Sequence, residues 1–265
     1  MPKVGTLEVD AFPKEEVLIR IEQLIDAKQP ASVVTPYSEF VVMAENQPEF
    51  RMAINQADIR LADGSGIVWA GHYLNHDVGL VKSFRDVMRS DSQVSAIFPE
   101  KISGSDLMYD LLALAHSKHL KVYLLGSEEE ISSAVATKIG EKYPNIEITG
   151  RFSGRVELDD EGLMSRIAAT NSDLILLALS PPKQELWAQA MRTYLRDHNS
   201  PGVLCCFGGS FDFFAGSKER APKWMRSVGL EWFWRLIIEP SRIGRIYRAT
   251  WVYTNLIRRY KKETL

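Results

Sequence analysis

Leu174-Ile175-Leu176-Leu177-Ala178-Leu179, running straight into Ser180-Pro181-Pro182-Lys183-Gln184-Glu185, is the stretch that decides the fold. Six apolar residues without alternation fit a strand buried on both faces, as in a parallel sheet covered by helices on either side. Behind them comes a turn of small and polar residues with two prolines, which a helix tolerates at its first position. Residues 184–197 then take up a helical period.

Outward from that unit the pattern repeats. Strands are predicted at Ser32-Thr35, Ile59-Ala62, Lys121-Leu125, Ile146-Thr149, Asp173-Leu179 and Gly202-Phe207. Helical periods lie between them near 14–28, 38–47, 65–74, 105–118, 128–142, 160–170 and 184–197. Strand and helix alternating along the chain predict an α/β sandwich, with ligands at the carboxyl ends of the strands. Residues 75–100 carry mixed charges and no clear period, and read as a long loop or a lid.

Four segments share one layout: a strand end, a turn of small or polar residues, a helix start. They are Thr35-Pro36-Tyr37-Ser38-Glu39, Ala62-Asp63-Gly64-Ser65-Gly66, Ser180 to Glu185, and Gly208-Gly209-Ser210-Phe211-Asp212. Free N–H groups and the positive dipole end of a helix suit phosphate, and glycine lets backbone approach a ligand closely. Each segment alone has a plain structural reading: Asp63-Gly64 as an ordinary turn, Ser65 as an N-cap, Pro181-Pro182 as a helix start. Together, all four fall where an α/β sheet presents its ligand crevice.

Composition narrows the classes. The chain has 265 residues, 45% of them hydrophobic and 25% charged, with a net charge of -2, which is ample for one full core. Its two cysteines, Cys205 and Cys206, are neighbours in an apolar run and read as small core residues rather than a disulfide. No Cys/His cluster has zinc-ligand spacing, so no metal site is expected. Residues 1–12 lack an apolar signal region, and no stretch approaches the roughly 18 apolar residues of a membrane span. A cytoplasmic protein, soluble or peripheral, is expected.

Charge is unevenly spread. Residues 218–265 hold twelve Lys/Arg against four Asp/Glu, leaving 20 bases against 30 acids in residues 1–217, and the same tail holds four of the six tryptophans. A division at that point is therefore expected: an α/β body over 1–217 and a basic, aromatic-rich appendage over 218–265. Across 241–262, Ile243, Ile246, Ala249, Tyr253, Leu256, Ile257 and Tyr260 share one arc of a helical wheel, with Arg245, Arg248, Arg259 and Lys262 opposite. Two readings follow from the residues: a helix lying in an anionic membrane interface, or a helix packing its apolar face on the core or a partner. Nucleic acid is not expected, since the total charge is slightly negative and no RNA-binding signature appears.

The chain resembles the WecG/TagA/CpsF glycosyltransferases, which build teichoic-acid linkage units, enterobacterial common antigen and exopolysaccharides. The resemblance rests on Thr35-Pro36 with Glu39, Asp63-Gly64-Ser65-Gly66, Ser103-Gly104-Ser105-Asp106-Leu107 and Pro182-Lys183-Gln184-Glu185. It continues through Gly208 to Asp212, Ala215-Gly216, Arg220-Ala221-Pro222-Lys223-Trp224, Gly229-Leu230-Glu231-Trp232, Arg235 and Glu239-Pro240. No generic need of a helix or turn demands the last run. The resemblance implies a Rossmann-like core and an inverting, metal-independent transfer, with no cofactor. The sugar, of the N-acetylmannosamine, mannosaminuronic acid or glucose type, passes from a UDP-sugar to a polyprenyl-diphosphate-linked saccharide. It implies a dimer or trimer, and it favours the membrane reading of the C-terminal helix, at the inner face of the plasma membrane.

Carried over by position, Asp63 matches the general base that takes the acceptor proton, Thr35 a residue beside the reacting sugar, and Gln184 a donor-sugar contact. Gly208, Gly209 and Asp212 fall where nucleotide contact is expected. Tyr37 stands where the family has asparagine near the donor sugar, and Lys101 where it has a phosphate-facing arginine, keeping the charge but losing the bidentate fork. Leaving diphosphate needs positive charge; Lys101, Arg220, Arg235, Arg242 and Arg245 are the candidates, each of which also reads as a solvated surface charge. The alternatives to an enzyme are a catalytically idle UDP-sugar-binding protein and a scaffold of a polysaccharide assembly system.

Overall fold

The computed structural model describes residues 1–89, 97–222, 225 and 231–264. A short antiparallel ribbon, β1 (Lys3–Val4) and β2 (Leu7–Glu8), precedes a six-stranded sheet. The sheet strands are β3 (Ala31–Val34), β4 (Ile59–Arg60), β5 (Lys121–Gly126), β6 (Glu147–Phe152), β7 (Leu174–Ala178) and β8 (Val203–Cys206). They run in the order β4-β3-β8-β7-β5-β6, and every pairing is parallel.

The first five residues of the apolar run 174–179 form β7, all five buried between β5 and β8. Period-two alternation sends its side chains into two cores. Ile175 and Leu177 join Val34, Tyr123, Leu125, Leu204 and Cys206 on one face. Leu174, Leu176 and Ala178 join Val33, Val122, Leu124, Val203 and Cys205 on the other. The adjacent cysteines therefore point into opposite cores as free thiols.

Helices cover both faces. On one lie α2 (Ser38–Asn46), α3 (Pro48–Asn55), α4 (Ser65–Asn75), α8 (Glu161–Ala168) and α9 (Lys183–Asp197); on the other lie α1 (Lys14–Asp26), α6 (Gly104–Lys118), α7 (Glu129–Lys142) and α10 (Ser210–Ala215). The expected α/β sheet with helices on both faces is what the chain forms. The six expected strands and seven expected helices are present, with boundaries moved by a few residues.

Among the described residues of the α/β body, sequence periodicity missed three helices. Proline at the first position starts α3, and α10 is a six-residue helix after Gly208-Gly209. The third lies in residues 75–100, where a long loop or lid was expected: Leu80–Met88 is a helix, α5, packed on α4. Its period is real but short, nine residues set among the mixed charges of 75–100. Trp69 of α4 stacks on Phe84 at 4.3 Å between centroids, and the Trp69 indole N–H donates to Ser83 Oγ at 2.9 Å.

Beyond α10, the chain forms α11 (Glu231–Ile238), a 3-10 turn (Pro240–Arg242), α12 (Ile243–Tyr247), a π-helical turn (Arg248–Val252) and α13 (Tyr253–Thr264). The apolar arc read from the sequence divides between two uses. Tyr253 and Ile257 are buried against α2 and α4, as core packing demands, while Ile243 is 64% exposed. Lys261 of α13 donates to the carbonyls of Tyr73, His76 and Val78 at 2.8, 2.8 and 3.1 Å. It thereby ties together acceptors at the end of α4 and in the turn into α5. Among the described residues, no helix is long and apolar enough to cross a membrane.

Candidate active site

The carboxyl ends of β3, β4, β5, β7 and β8 open into one cavity of about 1060 Å³. Its walls include all twelve residues singled out from the sequence: Thr35, Tyr37, Asp63, Lys101, Gln184, Gly208, Gly209, Asp212, Arg220, Arg235, Arg242 and Arg245. A lone turn has an ordinary structural explanation, but four turns converging on one cavity with these side chains do not.

Asp63 sits between β4 and α4. Its backbone N–H donates to Pro36 O at 3.1 Å, which ties its turn to the one after β3. Gly64 follows at φ +81°, a left-handed conformation that costs glycine nothing and starts α4 abruptly. Next door, Ile102 N–H donates to Ala62 O at 2.9 Å, placing Lys101 beside the same turn. Thr35, at the end of β3, donates its hydroxyl to Cys206 O across the sheet at 3.3 Å.

Gln184 fastens the opposite wall. Its side-chain oxygen accepts from Leu179 N–H at 3.2 Å and from Gly208 N–H at 2.9 Å, joining the turns after β7 and β8. Its side-chain NH2 donates to Glu185 Oε1 at 2.8 Å. The amide orientation is thus fixed by three contacts. Glu185 is fully buried with no hydrogen bond to Oε2 among the described residues, and burial pushes its carboxyl up to about 7. Gly208 adopts φ +50°, and Gly209 caps α10, whose first turn carries Asp212.

The cations arrive paired. Arg220 forms a fork on Asp106 at 2.6 and 3.2 Å. Lys218 lies 3.0 Å from Glu239 and 3.5 Å from Asp212, Arg242 lies 2.8 Å from Glu239, and the Arg235 guanidinium stands 5.2 Å over the Phe213 ring. Arg245 contacts Glu39 at 3.0 Å and donates to the Tyr37 hydroxyl at 2.6 Å, while Arg248 reaches Glu39 at 2.8 Å. The Glu39 side chain is 3% exposed. Burial alone would raise its carboxyl, but the Tyr37 hydroxyl and the two guanidiniums outweigh it and hold the group below the usual range. The Tyr37 hydroxyl, which donates to Glu39 Oε2 at 2.8 Å, is pushed up, chiefly by burial.

Sequence reasoning placed Glu39, Asp106 and Glu185 inside motifs without giving them work. The structure supplies it: Glu39 and Asp106 receive arginines more than a hundred residues away, and Glu185 receives Gln184. No local signal announces such pairs. Of the motif residues, Lys223-Trp224 and Gly229-Leu230 lie outside the described residues. Among the described residues, no group of three or more His, Cys, Asp or Glu side chains could hold a metal ion.

A parallel sheet with its ligand crevice at the strand carboxyl ends, walled by helix starts and guanidiniums, defines a nucleotide-handling α/β protein. The profile of the glycosyl transferase WecG/TagA/CpsF family matches residues 2–264, and the chain belongs to that family. Among its relatives is the N-acetylglucosaminyldiphosphoundecaprenol N-acetyl-beta-D-mannosaminyltransferase of Staphylococcus aureus strain MRSA252, 33% identical over 249 residues covering 92% of this chain and 88% of the relative. The protein of the same name from strain NCTC 8325 / PS 47 matches at the same identity and coverage. The chain is therefore a glycosyltransferase, and the readings as an idle binding protein or a scaffold give way.

Proposed function

We propose that this glycosyltransferase moves an N-acetylmannosaminyl-type sugar from a UDP donor to a polyprenyl-diphosphate-linked saccharide, with inversion and without a metal, in cell-envelope polysaccharide synthesis. The observation that carries this reading is the placing of Asp63 in the same cavity as the Gln184, Gly208 and Arg220 walls. The S. aureus relatives are named for an N-acetylmannosaminyl transfer to N-acetylglucosaminyldiphosphoundecaprenol, which supports the donor sugar type and the lipid-linked acceptor.

In this mechanism Asp63 takes the proton of the acceptor hydroxyl as that oxygen attacks the anomeric carbon, and the bond to UDP breaks on the opposite face. Thr35 and Gln184 orient the donor sugar. Gly209 brings a backbone N–H to the nucleotide, Gly208, whose own N–H is held by Gln184, lets the backbone approach closely, and Asp212 flanks it. Lys101 and Arg220 take up the charge of the departing diphosphate, the work a metal does elsewhere. Arg235 and Arg242 line the acceptor side. Arg245 is held by Glu39 and Tyr37, so its main effect is to fix the C-terminal segment, residues 218–265, over the catalytic body, residues 1–217. That segment brings the cavity to the inner face of an anionic membrane, where the acceptor resides.

The test is transfer of radiolabelled N-acetylhexosamine from its UDP ester into polyprenyl-diphosphate-linked N-acetylglucosamine. Asp63→Asn is expected to lower turnover at least a hundredfold while the thermal shift given by UDP persists. Full activity in that variant removes Asp63 from the base role.

A further inference from the structure

The segment α5, Leu80–Met88, is tied to none of the sequence motifs and does no work in the mechanism above. Its surface is divided in a particular way. Val81 is 82% exposed and Met88 53%, with Phe84 beside them on one arc. Lys82, Arg85 and Arg89 form an exposed basic stripe along the edge of that arc, and Ser83 faces inward to Trp69. An exposed apolar arc bordered by cations is the pattern of a helix lying in a membrane interface.

Two contacts tie α5 to the C-terminal segment. Trp69 stacks on Phe84 on one side and meets Tyr253 of α13 edge-on at 6.0 Å on the other. Lys261 of α13 caps the backbone that leads from α4 into α5. Both segments also reach the same cavity: Phe84, Val87 and Met88 line it from one side, and Trp232, Ile246 and Ala249 from the other. On the outer surface, Trp232, Phe233, Ile237, Tyr247 and Trp251 are exposed on the C-terminal side. The cavity thus has two apolar lips held in fixed relation by α4.

We infer that α5 is a second membrane-docking element, which lays Val81 and Met88 into the acyl boundary and sets Lys82, Arg85 and Arg89 against anionic headgroups. The inference rests on the proposed lipid-linked acceptor, and it adds an internal helix to the C-terminal appendage as a determinant of how the cavity meets the bilayer. The commitment to an anionic bilayer comes from charge. Neutral isoprenoid hydrocarbon has no use for a basic stripe, whereas phosphatidylglycerol headgroups do.

The test uses the full chain and two kinds of vesicle, phosphatidylcholine alone and phosphatidylcholine with phosphatidylglycerol. The combined variant Val81→Ser, Lys82→Gln, Arg85→Gln changes only exposed side chains that do not line the cavity. Its partitioning onto anionic vesicles is expected to be about tenfold weaker than wild type, with an unchanged UDP-induced thermal shift. Ile19→Ser, an exposed apolar residue of α1, serves as the control and is expected to bind as wild type. A Val81→Cys variant can be labelled selectively, because Cys205 and Cys206 are buried with thiols pushed up by burial. An environment-sensitive dye there is expected to shift blue on anionic vesicles.

Partitioning within twofold of wild type, or a dye that does not shift, overturns the inference. So does a variant that binds vesicles normally but loses turnover only with long-chain acceptor, since α5 would then hold the acceptor's own isoprenoid. Failure of the broader functional reading is separately visible, as absent transfer by wild type in detergent micelles, where no bilayer is needed.

Discussion

Glu185 offers the sharpest test of the site's electrostatics. It is fully buried, its Oε1 accepts from the Gln184 side chain, and burial raises its carboxyl from 4.5 to about 7. A carboxyl raised on folding is held more tightly to its proton in the folded chain than in the unfolded one. Stability from this group is therefore fully present below pH 4.5, falls as pH rises, and reaches its lowest level above pH 7. A shift of about 2.5 units at about 1.36 kcal/mol each makes the loss roughly 3 kcal/mol. Cys206, its charged-state neighbour, stays neutral throughout this window because its thiol is raised too. Glu185→Gln keeps an oxygen acceptor for Gln184 but cannot ionise. Urea denaturation of both proteins from pH 5 to 8.5 should show the variant gaining about 2.5 kcal/mol on the wild type across the range, the rest of the loss falling below pH 5. A difference curve flat to within about 0.5 kcal/mol would refute the reasoning. Transfer activity supplies a second readout, since Glu185→Gln should retain turnover while Glu185→Leu, which leaves the Gln184 NH2 unpartnered, should lose about tenfold.

Three further outcomes follow from the pairs around the cavity. Lys261→Met keeps the aliphatic stem but removes a shared donor from the carbonyls of Tyr73, His76 and Val78, and should cost about 2 kcal/mol in urea denaturation and speed proteolysis between α4 and α5. Glu39→Gln removes the shared counter-charge of Arg245 and Arg248, whose side chains are 34% and 48% exposed; solvent screening discounts the loss to about 1–2 kcal/mol, measured by thermal unfolding. Arg220→Lys loses the fork and should raise the donor KM about tenfold with a smaller effect on stability; an unchanged KM would remove Arg220 from the donor site.

The fold was readable because its signals are local. Unbroken apolar runs such as 174–179 gave the parallel strands, and residues at the strand-to-turn junctions gave the cavity walls through Asp63, Gln184 and Gly208. What escaped was of two kinds. α5 was missed because its apolar period, Leu80, Val81, Phe84, Val87 and Met88, runs for only nine residues inside the mixed charges of 75–100. The ion pairs were missed because Glu39 and Arg245 lie 206 residues apart, and nothing in either neighbourhood names the other. Likewise the C-terminal arc was visible as amphipathic, but only tertiary packing decides that Tyr253 and Ile257 go to the core while Ile243 and Trp251 face outward.

Those long-range pairs also decide which cations can answer a diphosphate. Among the described residues the cavity wall carries six bases (Lys101, Lys218, Arg220, Arg235, Arg242, Arg245) and five acids (Glu39, Asp63, Asp106, Glu128, Asp212), close to balance. A dianionic leaving group must therefore draw guanidiniums away from carboxylates already in place, and the cost depends on how well each abandoned carboxylate is rehydrated. Asp106, 46% exposed, can turn to water when Arg220 leaves it. Glu39, 3% exposed, cannot, and stripping it would strand a buried charge at a cost of roughly 3–5 kcal/mol. In the proposed mechanism Arg220 is therefore the guanidinium that changes partners at the lower cost, whereas Arg245 and Arg248 stay with Glu39. Basic residues that look alike in the sequence thus differ in how costly they are to release, according to the exposure of the acid each one meets.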